Sequence, residues 1–296
     1  MRNVFDDSRR AAALVAPALA IMGFAIVAPI LVSLFFSLTD WMGFGAWNFV
    51  RLDNYRTIIL DDPVFWRSLL NALILMGSTI FIQHPAAFVV SIGLSRISAS
   101  LSRSLRTILF IPSILTVVVT TKLWVYIYNP RYGLLSKFLR LIGQGELASR
   151  AWLSDPDTAL GAVVFIMLWQ GFGWAVLFYY SAIMTMPKEL EEAATVDGAS
   201  SFQVYSRIVI PYLMPIINSI IIIAIIASLK AMETVFLATK GGPGDLTQFI
   251  ANYLYRKAFV TNEFGYANAV SVLFVLIALG MTLVTNRLAR SSGIEQ

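Results

Sequence analysis

The chain has 296 residues, of which 58% are hydrophobic and 13% charged, and its formal net charge at neutral pH is +5. This composition is typical of a polytopic membrane protein and excludes an ordinary water-soluble domain. The absence of cysteine excludes disulfide bonds and thiolate metal sites. The basic residues stand in short clusters beside apolar segments, where membrane orientation explains them better than nucleic-acid binding, so no nucleic-acid partner is expected.

Six segments with little or no charge are long enough to cross a hydrocarbon core, which needs about 20 residues. They lie at about 11–38, 68–95, 105–128, 158–184, 208–238 and 266–288. The first is too long for the apolar region of a cleavable signal peptide, roughly 7–15 residues, and is predicted to be retained. Lipid offers the backbone no hydrogen-bond partner, so every segment is predicted to be helical. We therefore predict an all-α polytopic membrane protein with six transmembrane helices in a single domain, 1–296.

An even number of spans places both chain termini on the same side of the membrane. The two alternating sets of loops contain equal numbers of Lys and Arg residues, ten each. The set that includes the N-terminus is shorter, so its positive charge is denser, and Arg9 and Arg10 directly precede the first span. Because positively charged loops favour the cytoplasm, both termini and the loop at 186–207 are predicted to be cytoplasmic.

The loop at 186–207 is a polar stretch between two long apolar segments. Pro187 suits the first position of a helix, and residues 188–196 include good helix formers and no helix breaker. Gly198 favours a stop, because glycine accepts a positive φ at little cost. A second short helix is predicted before Pro211. The loop is thus predicted to form a helix–turn–helix at the membrane surface, including a cytoplasmic coupling helix that contacts a soluble partner.

This loop resembles the "EAA" loop of ABC-importer permeases. The matching residues are Glu192, Ala193, Ala194, Asp197, Gly198, Ala199, Gln203, Tyr205, Ile208, Pro211 and Pro215. Tyr205 stands where the family pattern has Phe, and Ile210 stands where it has Leu. In that family the loop couples the permease to a separate ATPase. The resemblance therefore implies an ATPase-coupling role for the first six matching residues, from Glu192 to Ala199.

A second motif follows the fifth segment. Its residues are Thr239, Gly241, Gly242, Pro243, Thr247, Tyr253, Tyr255, Ala258, Phe259 and 265–267. It resembles the signature of the first permease subunit of carbohydrate importers in the maltose- and glycerol-3-phosphate-like group. Residues 52–55, before the second segment, extend the resemblance over almost the whole chain.

The resemblance implies a permease subunit of an ATP-driven importer for a sugar or related polyol, in a bacterial or archaeal cytoplasmic membrane. The implied partners are a second homologous permease, two ATP-binding subunits and an external solute-binding protein. The chain has no GxxxxGK[ST] loop to cradle nucleotide phosphates, so it is expected to have no ATPase site of its own. No cofactor or metal is expected in this chain; Mg-ATP would bind to the partner ATPase subunits. The implied mechanism is alternating access driven through the coupling loop.

Several positions in the fourth and fifth segments are predicted to line the solute path. They are Gln170, Gly171, Trp174, Ser228, Lys230 and Glu233. A Trp face stacks on a sugar ring and Gln both donates and accepts hydrogen bonds, and in related sugar permeases this region lines the substrate cavity. Lys230 and Glu233 are spaced i,i+3, so they are able to pair on one helix face, and ionisable groups in a membrane should face a cavity or a partner. Helix packing by the aromatic residues and snorkelling of the lysine are the alternative interpretations.

His84 precedes Pro85 in the second segment and is expected to be a hydrogen-bonded interior residue at a kink rather than a proton relay. With Lys230 and Glu233, it is the only support for an alternative function, a secondary transporter driven by an ion gradient. That alternative predicts inverted repeats and broken helices at the membrane midplane, neither of which is evident in the sequence. A membrane anchor with no transport path is a further alternative, against which the polar groups of the fourth and fifth segments argue.

Overall fold

The computed structural model of the chain describes residues 8–291. Helices account for 77% of these described residues, which form no β-strand, so the all-α prediction is confirmed. One antiparallel bridge pairs Thr39 with Phe49. The two ends of the chain, predicted to be cytoplasmic, lie outside the described residues.

The helices follow one another in chain order with short connections. The first nine are α1 (Ser8–Met22), α2 (Ala28–Phe36), α3 (Asp53–Leu60), α4 (Pro63–Ser78), α5 (His84–Arg96), α6 (Ala99–Ile114), α7 (Val117–Ile127), α8 (Leu134–Leu141) and α9 (Gly145–Ser149). The next seven are α10 (Ala159–Thr185), α11 (Lys188–Val196), α12 (Ser201–Val204), α13 (Ile210–Leu229), α14 (Glu233–Ala238), α15 (Ile250–Phe259) and α16 (Phe264–Ser291).

Five helical runs in the described part of the chain are long and apolar enough to cross a membrane. They are Leu14–Phe36, Pro63–Arg96, Ala159–Thr185, Ser201–Ala238 and Phe264–Arg287. The bent pair α6 and α7 raises the number to six when it is counted as one span. The predicted six transmembrane helices agree with the larger number.

Three π-helical turns widen helices that otherwise continue through them. They are Gly23–Val27, Thr79–Gln83 and Tyr205–Val209. Each turn ends two residues before a proline in the sequence. Proline has no amide hydrogen, and its ring collides with the carbonyl group four residues earlier in an ordinary α-helix. A wider turn ahead of the proline relieves this crowding, so each helix continues past its proline.

The third predicted segment, 105–128, is not one helix. Helix α6 ends at Ile114, Leu115 and Thr116 have extended backbone, and α7 begins at Val117 with a bend of 95° between the two helix axes. The Thr116 side chain accepts a hydrogen bond from the Val119 amide and thereby caps α7. The expectation of a continuous helix, and with it the expectation that no span is broken, is therefore corrected.

The fifth predicted segment, 208–238, is interrupted as well. Helix α13 ends at Leu229, and α14 begins at Glu233 after a three-residue link. The predicted pairing of Lys230 with Glu233 required both residues on one helix. Among the ion pairs found in the described part of the chain, none joins these two side chains.

The chain divides into two compact units. The first comprises Met1–Asp62 and Leu254–Leu276. Within it, the Asn54 side-chain amide donates hydrogen bonds to the carbonyl groups of Ser37 (2.8 Å) and Thr39 (2.9 Å). Asn54 belongs to the motif at 52–55, so one structural task of that motif is to hold the chain that follows α2.

The second unit comprises Pro63–Tyr253 and Ile277–Gln296, and it contains the coupling loop and all six predicted solute-path residues. Its core includes a cluster in which Ala87 and Leu94 of α5 pack with Val176 and Tyr179 of α10. The Ser91 hydroxyl donates to the Val176 carbonyl group at 2.9 Å, which joins the same two helices.

Candidate functional site

A cavity of about 230 Å³ lies within the second unit, among α4, α5, α10, α13 and α14. Much of its lining is apolar, including Leu75, Met167 and Ile223. Its remaining side chains supply hydrogen-bonding groups, a carboxylate and an indole ring. These are Thr79, Gln83, His84, Trp174, Ser228, Glu233 and Thr234. An apolar cavity with a few polar groups is the common form of a site for a small organic molecule.

Four of the six predicted solute-path residues line this one cavity. They are Gly171, Trp174, Ser228 and Glu233. Gln170 and Lys230 are not among its lining residues. The structure thus brings residues of the fourth and fifth predicted segments to one cavity. Four of the six predicted residues line it, and two do not.

Gln170 instead supports the break between α6 and α7. Its side-chain amide donates to the Leu115 carbonyl group at 3.0 Å, and its own carbonyl group accepts from the Ser113 hydroxyl at 2.6 Å. Carbonyl groups at the end of a helix have no partner within the helix. Gln170 therefore satisfies a carbonyl group that the break leaves free.

Gly171 allows a close approach between α10 and the π turn that precedes α5. A Cβ atom at this position would lie 2.9 Å from Nε2 of Gln83. That nitrogen donates a hydrogen bond to the Leu168 carbonyl group at 2.7 Å. The absence of a side chain at Gly171 therefore lets Gln83 reach α10 at the cavity wall.

The polar residues of the second predicted segment are the part of the site that the sequence analysis missed. Thr79, Gln83 and His84 all line the cavity. His84 is only 6% exposed, and its ring meets Tyr179 edge to face at 5.8 Å. Its Nδ1 atom has no hydrogen-bond partner among the described residues, which differs from the hydrogen-bonded histidine expected here. The available signal was the presence of these three polar residues within the six positions before Pro85 in an apolar segment.

The loop at 186–207 forms the expected helix–turn–helix. Helix α11 ends at Val196, and Gly198 adopts the left-handed conformation with φ of 81°. Helix α12 begins with a capping box. The backbone N–H of Ser200 donates to Oε1 of Gln203 at 2.8 Å, and the backbone N–H of Gln203 donates to the Ser200 hydroxyl.

The six predicted coupling residues divide into outward and inward positions. Glu192, Ala193, Asp197 and Gly198 are exposed, whereas Ala194 is buried and Ala199 is half-buried. Ala194 belongs to an apolar cluster at the base of the loop, and Ala199 packs against that cluster. The exposed side also carries two large apolar side chains, Val196 (87% exposed) and Phe202 (80% exposed).

Arg96, which the sequence analysis did not select, joins α5 to both arms of the loop. Its Nη2 atom lies 2.8 Å from Oε2 of Glu191 in α11 and 2.8 Å from the hydroxyl of Tyr205, which follows α12. Two charge-assisted contacts and the buried Ala194 therefore attach the loop to the membrane helices.

Comparisons with known proteins match this chain to membrane components of transport systems. Residues 85–292 match the family model described as "Binding-protein-dependent transport system inner membrane component". The chain is 32% identical over 271 residues to a probable ABC transporter permease of Pyrococcus horikoshii. The aligned region covers 90% of this chain and 91% of that protein. It is also 30% identical over 283 residues to the diacetylchitobiose uptake permease NgcF of Streptomyces coelicolor. That alignment covers 91% of this chain and 80% of NgcF.

One solved structure shares the fold over nearly the full length of both chains. It is a chain of a bacterial alginate ABC transporter in complex with an alginate pentasaccharide-bound periplasmic protein. The TM-score is 0.83 with 22% sequence identity, and 98% of each chain is covered.

Proposed function

This chain belongs to the family of binding-protein-dependent transport system inner membrane components, and we propose that the solute for which it provides a path is a sugar or related polyol. It is a multi-pass permease subunit of an ATP-driven ABC importer. The observation that carries the proposal is the cavity in which Trp174 stands beside hydrogen-bonding side chains. A sugar needs an aromatic face together with donors and acceptors, and this lining offers both. The diacetylchitobiose uptake relative supports the same solute class.

The proposed assembly contains four kinds of component besides this chain: a second homologous permease, two ATP-binding subunits, an external solute-binding protein and the lipid bilayer. The sequence holds no phosphate-cradling GxxxxGK[ST] loop, so Mg-ATP is proposed to bind only to the ATP-binding subunits, with no cofactor in this chain. We place the chain in a bacterial or archaeal cytoplasmic membrane, with both termini and the loop at 186–207 in the cytoplasm.

The coupling surface is proposed to comprise the exposed Glu192 with the neighbouring Val196 and Phe202. Their mixture of one acid and two large exposed apolar groups suits a protein groove better than bulk water. An ATP-binding subunit that closes around this surface would displace the loop as a rigid body, because Gly198, the capping box at Ser200 and the contacts of Arg96 fix its shape.

Two helices connect the coupling surface to the cavity. Helix α10 ends at Thr185 just before the loop, and α13 begins at Ile210 just after it. The same two helices supply Trp174 and Ser228 to the cavity wall. A displacement of the loop is thus proposed to reach the cavity through two continuous helices, which is the mechanical requirement of alternating access.

The test is ATP-driven uptake by the assembled complex in proteoliposomes that are supplied with binding protein and a panel of radiolabelled sugars. Trp174→Ala is expected to lower uptake about tenfold or more while basal ATP hydrolysis is retained, because it removes the indole ring that lines the cavity and leaves the coupling loop unchanged. Glu192→Lys is expected to abolish uptake. Glu189→Lys is the matched control, because Glu189 is an exposed acid on the same helix but outside the motif.

Two results would refute parts of this proposal. Unchanged uptake by Trp174→Ala would remove the cavity from the solute path. Full uptake by a correctly inserted Glu192→Lys complex would remove the loop from coupling. Uptake that followed an imposed ion gradient without ATP would favour the secondary transporter, an alternative to which the family match gives no support.

A further inference from the structure

We propose that helix α8 is an interfacial helix that binds an anionic phospholipid surface. Its apolar face lies among the lipid chains, and two basic side chains, Lys137 and Arg140, bind acidic lipid headgroups. This binding is separate from the transport path and does not depend on the identity of the solute. Three features support it: the two opposite faces of α8, its attachment beside the end of a membrane-spanning helix, and the charges next to its apolar face.

Helix α8 has two opposite faces. Leu134, Phe138 and Leu141 share one face, because they are spaced i, i+4 and i+7, and they are 68%, 56% and 86% exposed. Ser136 lies on the opposite face, where it is buried and its hydroxyl donates to the Ala148 carbonyl group at 2.6 Å. The inner face is thus held by the protein, and the apolar face is directed away from it.

The inner face of α8 is attached beside the start of α10. Leu135 packs against a buried cluster that contains Tyr128 with Ala162 and Ile166, and the last two residues lie in the first turns of α10. The 27 residues of α10 are about 40 Å long, which exceeds the roughly 30 Å of the hydrocarbon core. The ends of α10 therefore reach the headgroup regions, and α8 lies near one of them, at the end opposite the coupling loop.

Basic and aromatic side chains flank the apolar face. Lys137 and Arg140 are exposed, neither forms an ion pair among the described residues, and α8 contains no acidic residue. Lys137 is four residues before Leu141 and so lies at the edge of the apolar face. The exposed rings of Tyr126 and Tyr132 are 6.4 Å apart, and tyrosine is enriched where proteins cross the membrane–water boundary.

A lipid surface fits this combination better than a soluble protein does. At the boundary of the bilayer, the surrounding medium supplies both hydrocarbon for the apolar face and negative charge for the lysine and arginine. Neither interaction requires a surface of complementary shape. A protein partner would have to present an apolar patch with acidic groups beside it at the same height. Continuous exposure of three large apolar side chains to water would be unfavourable.

The experiment measures lipid contact in the complete chain, assembled with cysteine-free partner subunits and reconstituted into vesicles. Phe138→Cys carries a bimane fluorophore, which reports on this site alone because the chain has no cysteine of its own. The quenchers are brominated phosphatidylglycerol, brominated phosphatidylcholine at the same mole fraction, and iodide in the water. Leu141→Cys is a second position on the apolar face. Glu146→Cys is the control, because Glu146 is exposed and belongs to α9.

The labels on Phe138→Cys and Leu141→Cys should be quenched by the brominated lipids and protected from iodide, whereas the label on Glu146→Cys should be quenched by iodide. Brominated phosphatidylglycerol should quench the label at position 138 about twofold or more strongly than brominated phosphatidylcholine, because cations attract acidic headgroups. A higher ionic strength should lower this ratio, since salt screens exposed charges.

The double substitution Lys137→Gln and Arg140→Gln should reduce the ratio to about one, because both cations of α8 are then lost. The matched control is Arg103→Gln with Lys188→Gln. These two exposed cations lie in α6 and α11, so their substitution should leave the ratio as in the wild type.

Several results would overturn the proposal. Equal iodide quenching at positions 138 and 146 would place the apolar face in water. A label at position 138 shielded from both lipid and iodide would show that a partner subunit covers the face. Protection from iodide only after the solute-binding protein is added would assign the face to that protein. A lipid ratio unchanged by the Lys137 and Arg140 substitutions would remove these residues from headgroup binding.

Discussion

Gly173 of α10 faces the backbone of Leu109 in α6 so closely that no side chain fits between them. A Cβ atom built on Gly173 would lie 2.0 Å from the Leu109 carbonyl oxygen and 2.8 Å from Cα of Phe110. Both of these atoms belong to the backbone, so neither is able to move aside alone. The contact places the end of α6 against α10, just before the break at Leu115 whose carbonyl group Gln170 binds.

Gly173→Ala is therefore expected to destabilise the protein by about 1–3 kcal/mol through overpacking. Gly161→Ala is the matched control on the same helix, because a Cβ atom at Gly161 would meet nothing within 4 Å. Gly161→Ala should be neutral or stabilising by about 0.5–1 kcal/mol, since alanine favours the helix. Thermal unfolding in detergent checks both values, and equal melting temperatures for the two variants would contradict the close approach.

Gln170→Ala is expected to affect stability rather than solute preference. The substitution removes the donor to the Leu115 carbonyl group, which costs about 1–3 kcal/mol when the carbonyl group is left buried and unsatisfied. Thermal unfolding should show the loss, whereas the order of uptake among a sugar panel should stay as in the wild type. Gln144→Ala, at an exposed loop position, is the control. A changed sugar preference with unchanged stability would return Gln170 to the solute path.

Arg96→Gln is expected to impair coupling more than Glu191→Gln. Arg96 contacts both Glu191 and Tyr205, so its substitution loses contacts with both arms of the loop, while the second variant loses one. Both side chains of the ion pair are partly exposed, so the pair itself should contribute less than about 1 kcal/mol of coupling energy in a double-mutant cycle.

The measurement for this prediction is the number of solute molecules imported per ATP hydrolysed, together with the unfolding cycle. Arg103→Gln serves as the control, because Arg103 is an exposed basic residue in the neighbouring helix α6. Equal transport ratios for Arg96→Gln and Arg103→Gln would show that the contacts of Arg96 do not hold the loop for coupling.

The predicted orientation is open to a direct test, because the chain contains no cysteine. Ser200→Cys, in the exposed part of the coupling loop, should react with a membrane-impermeant thiol reagent only after the membrane is opened. Glu146→Cys, at an exposed position in the loop at 129–157, should react in intact cells. The reverse pattern would invert the orientation, and the positive charge beside the first span would then not determine it.

Local sequence signals were sufficient to predict the membrane segments, the turn in the coupling loop and the family motifs. Apolar length indicated the membrane segments, because a span needs about 20 residues whatever its neighbours are. The turn at Gly198 was predictable because a positive φ is a property of a single residue, and the observed φ of 81° matches the expected helix stop. The family motifs at 192–199 and 239–267 could also be identified from the sequence, because each is nearly contiguous.

Only the tertiary structure decided where the apolar segments break and which polar groups face the same cavity. Leu115 and Thr116 are extended within an apolar segment, and a carbonyl group released there is satisfied by Gln170, 55 residues away. A fully apolar segment has no amphipathic pattern to show which side faces a cavity. His84 and Glu233 line the same space although they are far apart in sequence. The sequence determined that these groups were polar and within the membrane, but their common direction depends on helix packing and on long-range hydrogen bonds, which no local pattern encodes.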